Sequence, residues 1–267
     1  METKAAIAIL YQGHAPPAVG GIRKPLKPGG YSDSSADIAY ALRNAGVRVI
    51  TPIADPDPAN DMSWSFPDTQ AGIEEAINKG AEILWANTVL YEGHPVEAAL
   101  RKGISIVGQV PSNVERFDDK RFTNAMLHAA GLPVARAVVV GDYESTSLKD
   151  WQAITEPWLQ RQGLELPVIV KPIRGRGSTG VQKAETWEAL QTALQALLSE
   201  PEIYGTAALI EEYLTGDEVT VSVLPPTPGD PDTYRALPPV LREGHQAGVV
   251  PYSGRVAVTA NSRALLP

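Results

Sequence analysis

The apolar residues of the first 112 positions fall into short runs, and segments with helical periodicity separate these runs. Four apolar runs predict strands at residues 5–11, 47–51, 82–86 and 104–107. The intervening segments predict helices at residues 32–44, 69–79 and 95–102, followed by the stop signals Gly46, Gly80 and Gly103. Strands that alternate with helices form a parallel sheet covered on both faces. The sequence therefore predicts an α/β domain over residues 1–112.

The rest of the chain has a different pattern. Helices are predicted at residues 118–130, 147–161 and 185–198, and strands at 135–140, 166–171, 207–213, 218–224 and 234–241. Residues 218–224 alternate apolar and polar side chains, which is typical of a half-exposed strand. We expect this half to be α+β with antiparallel pairing in its later part. We divide it into a central subdomain at residues 113–206 and a C-terminal subdomain at residues 207–267.

The strand predicted at residues 166–171 ends on Lys171 and runs into a glycine-rich turn. The turn contains Gly175, Gly177, Ser178, Thr179 and Gly180. Its glycines leave backbone N–H groups uncovered, and its hydroxyl groups add donors that suit an anion. A lysine at the end of the strand delivers a fixed positive charge to the same place. This combination predicts a site for nucleotide phosphates, and the alternative is an ordinary surface turn.

The turn also matches the pattern G-x-G-x-x-G, but its context is not that of a dinucleotide-binding fold. Such a fold needs its first glycine directly after the strand and a helix that opens at the third. Here residues 171–174 come before Gly175, and the residues after Gly180 have an extended pattern. No Gly-Lys-Ser/Thr sequence is present, which excludes a Walker A loop. The pattern instead predicts a hairpin whose turn lies over phosphates.

Composition narrows the class of protein. The 267 residues are 43% hydrophobic and 20% charged, which is typical of a globular protein. A net charge of −8 argues against a nucleic-acid partner, and the lack of cysteine excludes disulfides and thiolate sites. The apolar runs are too short to span a bilayer, and the N-terminus lacks the pattern of a signal peptide. We therefore expect a cytoplasmic protein without a membrane partner.

Four short motifs stand in order along the second half. The first motif is Asp119-Lys120, which opens a helix that ends at Gly131-Leu132-Pro133. The second is Lys171, which precedes the glycine turn. The third motif, Glu211-Glu212-Tyr213-Leu214, ends a strand, and the fourth, Gly216 with Glu218, begins the next strand. This ordered set resembles the ATP-grasp superfamily and, within it, the D-alanine–D-alanine ligase group. The resemblance is strongest from Asp119 to Val223. It implies an N-terminal parallel-sheet α/β domain followed by a pair of α+β subdomains of the ATP-grasp kind.

The resemblance also implies roles for individual residues, with ATP and Mg²⁺ as cofactors. The expected phosphate-binding residues are Lys120, Lys171, Gly177, Ser178, Thr179 and Gly180. In the same family pattern, Glu211 faces the adenine amino group, Tyr213 and Leu214 face the ring, and Glu218 binds the ribose. Arg255 falls where the family carries a lysine on a mobile loop near the γ-phosphate, and we take it as the catalytic candidate.

Two departures from the family pattern affect the substrate and the metal. The turn after the first strand lacks the family's acidic residue and carries Arg23, Lys24 and Lys27, which suit an acidic substrate unless this is simply a surface loop. The family's late magnesium ligands are not found in order before Pro267, so the metal ligands are unknown. We expect an incomplete last subdomain and little or no turnover from these 267 residues alone.

The resemblance predicts an ATP-dependent carboxylate–amine ligase that forms an amide or peptide bond through an acylphosphate. Its partners are then a small-molecule carboxylate and an amine. For the oligomeric state, a homodimer is one of the alternatives. Two alternatives remain: a nucleotide-binding module without catalysis, and an ATP-grasp enzyme of the biotin-carboxylase or glutathione-synthetase type.

Overall fold

A computed structural model describes most of the chain. The described residues are 5–19, 22, 26, 28–143, 148–175, 177–227, 229–245, 248–249 and 260–265. The chain divides into two compact units. Unit 1 comprises residues 1–19 and 23–119, and unit 2 comprises residues 20–22 and 120–267.

Unit 1 is an α/β unit with a parallel sheet. Its strands are β1 (Ile7–Tyr11), β2 (Val49–Ile50), β3 (Phe66–Pro67), β4 (Ile83–Asn87) and β5 (Ser105–Val107). Its α-helices are α1 (Ser32–Asn44), α2 (Gln70–Asn78), α3 (Val96–Arg101) and α4 (Pro111–Phe117). The strand order is β2-β1-β4-β5, and the short β3 pairs with the end of β1. All of these pairs are parallel, which confirms the predicted class of this half.

The continuous apolar run of β1 is explained by burial on both faces of the sheet. Ile7 and Ile9 pack with residues of α1, such as Ala39. Ala8 and Leu10 point to the other face and join a cluster with residues of α2 and α3. A central parallel strand covered on both faces therefore needs apolar side chains at every position.

Asp68 is the centre of a buried polar cluster at the carboxyl ends of β1, β3 and β4. It is only 1% exposed. Its Oδ1 accepts the N–H of Gly13 at 2.8 Å, and its Oδ2 accepts from the Thr88 hydroxyl and from Nε2 of His94, the latter at 3.1 Å. Burial by itself would raise the pKa of Asp68, but these hydrogen bonds and the His94 charge outweigh it, so the pKa is lowered below 3.8. The ionised carboxylate thus holds three loops of unit 1 together.

Asp68→Asn should lower the free energy of unfolding by about 1.5–3 kcal/mol at pH 7, because hydrogen bonds to a charged acceptor are lost. A carboxylate with a lowered pKa in the folded protein stabilises it above pH 3.8, and this contribution disappears as the pH falls through the folded pKa. The difference in free energy of unfolding between the wild type and the variant should therefore shrink below pH 3.8. Urea denaturation from pH 7 down to pH 3 measures it, with the exposed Asp55→Asn as control. A difference that does not change over this range would contradict the assignment.

Unit 2 is α+β and largely antiparallel. Its α-helices are α5 (Lys120–Ala129), α6 (Glu156–Arg161), α7 (Trp187–Leu198) and α8 (Pro201–Tyr204). Its strands are β6 (Ala137–Gly141), β7 (Val168–Pro172), β8 (Gln182–Ala184), β9 (Ala207–Glu212), β10 (Glu218–Thr220), β11 (Val223–Leu224), β12 (Arg235–Ala236), β13 (Val240–Arg242) and β14 (Ser262–Ala264). They form sheets in the orders β6-β9-β7-β8, β10-β13-β14 and β11-β12. The predicted hairpin around the glycine turn is confirmed as the antiparallel pair β7–β8.

The sheet β6-β9-β7-β8 has two chemically different faces. On one face, apolar side chains such as Val168, Val170 and Ile210 pack against Leu190 and Leu194 of α7. On the other face, the register aligns Ala137, Glu211, Ile169 and Lys183 in one row across the four strands. Side chains of neighbouring strands in such a row point to the same side of a sheet. The second face therefore carries charged groups next to apolar ones.

The long helix predicted at residues 147–161 is wrong for residues 148–155 and confirmed only for residues 156–161. Residues 151–153 form a short 3₁₀ turn, and α6 begins only at Glu156. The backbone of Thr155 is extended, and its hydroxyl accepts the N–H of Trp158. Pro157 follows in the first helical turn, where its missing N–H is tolerated. These two residues start a new helix instead of continuing an earlier one.

Two other sequence predictions need correction. The strands predicted at residues 218–224 and 234–241 are both split, because β10 pairs with β13 while β11 pairs with β12. Helix α4 was not predicted; it belongs to unit 1, where Val114 packs against the core. Unit 1 consequently ends later than residue 112, and the further division of unit 2 near residue 206 stays a prediction. Within the described residues, no helix is both long enough and apolar enough to cross a membrane.

Candidate functional site

A cavity of about 700 Å³ opens on the charged face of the main sheet of unit 2. Its size is in the range of small-molecule sites. The residues that line it are Lys120, Ile169, Lys171, Gly175, Gly177, Ser178, Thr179, Val181, Glu211, Glu212, Tyr213, Leu214, Thr215, Gly216, Asp217, Glu218, His245, Gly248 and Val249. This set joins two lysines, the glycine turn and the end of a strand, which are the parts that the sequence predicted for a nucleotide site.

An ion pair between Lys171 and Glu211 lies on the floor of the cavity. Lys171 is on β7 and Glu211 is on the neighbouring β9, and Nζ of the lysine lies 2.7 Å from Oε1 of the carboxylate. The two side chains are only 17% and 13% exposed. Water therefore screens this pair less than it screens a pair at the surface. Each charge also makes the burial of the other less costly.

Helix α5 supplies a second cation to the same cavity. Lys120 is its first residue, and the N–H of Lys120 donates to the carbonyl of Ile173 at 3.1 Å. The Nζ of Lys120 donates to the carbonyl of Gly175 at 3.1 Å. One helical turn later, Nδ2 of Asn124 lies 3.5 Å from Oε2 of Glu211. The helix therefore connects the start of the glycine turn to the ion pair.

The glycine turn needs glycine at Gly180 for two separate reasons. Its backbone has a φ of +73°, which lies in the left-handed region. A Cβ at this position would also lie 2.8 Å from a ring atom of Tyr204 and 2.9 Å from Leu197 and Pro172. Gly180 itself is outside the set of lining residues, and it packs beneath the turn. Ser178, which does line the cavity, also has a positive φ of 58°.

The end of β9 and the turn after it form the opposite rim. The ladder between β9 and β7 ends at Glu212, so Tyr213 and Leu214 continue as a strand edge beside the cavity. Glu218 begins β10, and one of its carboxylate oxygens lies 3.2 Å from Nε2 of His245. A strand edge offers backbone N–H and C=O groups, and a carboxylate offers acceptors for hydroxyl groups.

The structure gathers nine of the ten predicted nucleotide-binding residues around one cavity. These are Lys120, Lys171, Gly177, Ser178, Thr179, Glu211, Tyr213, Leu214 and Glu218, and the tenth is Gly180. The catalytic candidate Arg255 lies outside the described residues, as do Arg23, Lys24 and Lys27. Their assignments stay predictions.

Sequence reasoning missed several lining residues, including Ile169, Val181, Asp217 and His245. The strand alternation contained a signal for Ile169, because it is two residues before Lys171 and therefore on the same face of β7. His245 gave no such signal, since it reaches the cavity only through the pairing of β10 and β13. Among the described residues, no three His, Asp or Glu side chains are placed to hold a metal ion.

Comparison with solved structures defines the class of fold. A D-alanine–D-alanine ligase from Bacillus anthracis superimposes with a TM-score of 0.60 at 15% identity, covering 98% of this chain and 73% of that one. A structure of a D-alanine–D-alanine ligase from Bacillus anthracis described as complexed with ATP gives a TM-score of 0.58 at 14% identity, covering 98% and 72%. The chain therefore has the fold of these D-alanine–D-alanine ligases, which confirms the fold class expected from the motifs.

Sequence comparison points to the same group. Residues 126–239 match the sequence model of the family described as the D-ala D-ala ligase C-terminus. A D-alanine–D-alanine ligase from Corynebacterium aurimucosum is 41% identical over 107 residues, which are 40% of this chain and 26% of that protein. The resemblance to D-alanine–D-alanine ligases is thus confirmed over a range that contains most of the residues lining the cavity. The aligned part spans about a quarter of this relative's length.

Gly180→Ala should destabilise the protein by about 1–3 kcal/mol more than Gly131→Ala does, because only the first adds a clash to the cost of a positive φ. Gly131 is a matched control, since its φ is +75° and nothing lies within 4 Å of a Cβ placed there. Urea denaturation of both variants measures the difference. Equal losses of stability would show that the space beneath the turn is not restricted.

Proposed function

We propose that the cavity of unit 2 binds ATP. The observation that carries this proposal is the arrangement of Lys120, Lys171 and the glycine turn at one end of a cavity whose other end is a strand edge. ATP needs cations and N–H donors for its phosphates, and its base needs one donor and one acceptor side by side. The cavity offers cations and N–H donors at the end with the glycine turn, and backbone donors and acceptors at the end with the strand edge.

At the phosphate end, Lys120 holds the start of the glycine turn through the carbonyl of Gly175. Lys171 lies on the floor, with its charge balanced by Glu211 at 2.7 Å. The turn adds backbone N–H groups and the hydroxyl groups of Ser178 and Thr179. Anionic phosphates in this position would receive charge-assisted hydrogen bonds from several directions.

At the base end, the edge at Tyr213 and Leu214 would pair with the adenine ring. The two carboxylate oxygens of Glu211 contact the ammonium group of Lys171 and the side-chain amide of Asn124. Because a carboxylate has about four lone-pair positions, Glu211 can also accept a hydrogen bond from the adenine amino group. Glu218 would accept hydrogen bonds from the ribose hydroxyl groups. The position of these residues around one cavity supports the roles implied by the resemblance.

We further propose that the protein is an ATP-dependent carboxylate–amine ligase of the D-alanine–D-alanine ligase kind. In this reaction the γ-phosphate of ATP passes to a substrate carboxylate, and an amine then attacks the acylphosphate to give an amide, ADP and phosphate. The support is the match of residues 126–239 and the ATP-grasp fold. The residues of the cavity contribute by binding and orienting ATP and by neutralising phosphate charge.

The proposal extends to the metal ion, the substrates and the location. Mg²⁺ commonly accompanies ATP in phosphoryl transfer, but the described residues do not form a metal-binding cluster, and no step is assigned to a metal held by them. The small-molecule carboxylate and amine are proposed by similarity to the curated relatives. A cytoplasmic location, the absence of nucleic-acid and membrane partners, and a homodimer stay predictions.

Lys171→Met should weaken ATP binding by about 2–4 kcal/mol, because it removes one member of a largely desolvated charge arrangement. Isothermal titration calorimetry with ATP and Mg²⁺ measures the change. Lys149→Met is the matched control, because the Lys149 side chain is 66% exposed and pairs with Asp142 away from the cavity. Unchanged ATP affinity in the Lys171 variant would refute the phosphate assignment.

The ligase reaction is tested separately, by the ADP formed from ATP and Mg²⁺ with and without D-alanine. We expect ADP formation that depends on D-alanine, because both the carboxylate and the amine would come from it. Because little or no turnover is expected, the readout is the D-alanine dependence of the ADP that does form, and not its rate. Tight ATP binding without such dependence would favour a nucleotide-binding module or a ligase for other substrates.

A further inference from the structure

Lys183 is a charged residue of the sheet face below the cavity that the family resemblance did not single out. It lies on β8, directly across from Ile169 of β7, which is in turn across from Glu211 of β9. Its neighbour Ala184 is fully buried on the opposite, apolar face. The side chain of Lys183 is only 18% exposed. It therefore lies along the cavity side of the sheet.

The ammonium group of Lys183 has two partners. Its Nζ lies 4.2 Å from the centroid of the Tyr213 ring, and 2.8 Å from Oε1 of Glu185. The hydrogen bond to Glu185 and the charge of that carboxylate outweigh desolvation and raise the pKa of Lys183. The aliphatic part of the side chain is close to Gly248, where a Cβ would lie 2.6 Å from Cδ of Lys183. Lys183 is thus a cation held in one place.

This geometry connects Lys183 to the strand edge. A cation within 6 Å of an aromatic centroid is attracted to the face of the ring. Tyr213 is half-buried and follows β9 directly, so fixing its ring also restricts the backbone at Tyr213 and Leu214. The same backbone is the edge that pairs with the base in the proposed ATP site.

We propose that Lys183 is a positioning residue: it holds the ring of Tyr213 and, through it, the backbone edge that recognises the nucleobase. The inference rests on the proposed ATP site and adds a residue to it. Lys183 acts on the base and not on the phosphates. It is aligned with Glu211, which is proposed to face the adenine amino group, whereas Lys171 lies two residues further along β7 towards the glycine turn.

The experiment compares ATP with inorganic tripolyphosphate, which has phosphates but no base. Isothermal titration calorimetry is performed on the full chain as wild type, Lys183→Met, Tyr213→Leu and the double variant. Lys183→Met should weaken ATP binding about three- to thirtyfold, the range of a cation–π contact. Tripolyphosphate affinity should stay at the wild-type value. In the Tyr213→Leu background, Lys183→Met should have no further effect on ATP.

Two further variants separate positioning from a general loss of structure or charge. Lys183→Arg keeps a cation that can lie over the ring, so it should restore most of the ATP affinity even if Lys183→Met folds poorly. Lys149→Met removes an exposed positive charge from the same unit and should change neither affinity. Thermal unfolding of every variant shows whether folding is retained.

The outcomes are distinct. Equal losses of ATP and tripolyphosphate affinity would show that Lys183 acts as a phosphate cation and would overturn the inference. The inference would also be overturned if Lys183→Met weakened ATP binding equally in the presence and in the absence of the Tyr213 ring. Wild-type ATP affinity in the Lys183→Met variant would overturn it too. A wild-type chain that does not bind ATP would instead refute the proposed function itself.

Discussion

The candidate site depends on the separation of the two faces of the sheet β6-β9-β7-β8. One face carries the buried apolar side chains that pack on α7, and this packing stabilises the sheet and fixes which strand positions point to the other face. The other face is then free to carry Lys171, Glu211 and Lys183 in neighbouring rows. A shift of one residue in any of these strands would place charged side chains in the core and remove them from the cavity.

The Lys171–Glu211 ion pair shows how this face holds charge without a ligand. Two opposite charges at 2.7 Å make the burial of each less costly, so the cavity is already formed before a phosphate binds. The pair is short and mostly shielded from water. Lys183 and Glu185 form a second pair one strand further out, at 2.8 Å, in which Glu185 is largely exposed. The site is therefore built from ion pairs on the sheet and from the glycine turn after β7.

Much of this could be predicted from the sequence because it depends on local signals. The run that ends on Lys171 and the glycines after it are contiguous, and their hairpin follows from the strand pattern on both sides. The parallel sheet of unit 1 follows in the same way from alternation of strands and helices. The role of Lys183 could not be predicted, because it depends on the register of three strands and on the distance to Tyr213, which is 30 positions away in the chain. The buried cluster around Asp68 depends likewise on loops that only the folded sheet brings together.

The central claim is that the glycine turn and the strand edge belong to a single nucleotide site. Hydrogen–deuterium exchange with and without ATP and Mg²⁺ tests it most directly, because it reports on both segments in one experiment. Residues 173–181 should exchange more slowly with ATP, since phosphate contacts offset the entropy of ordering glycine. Residues 211–218 should be protected at the same ATP concentrations. Protection of only one of these segments, or of neither, would contradict the account.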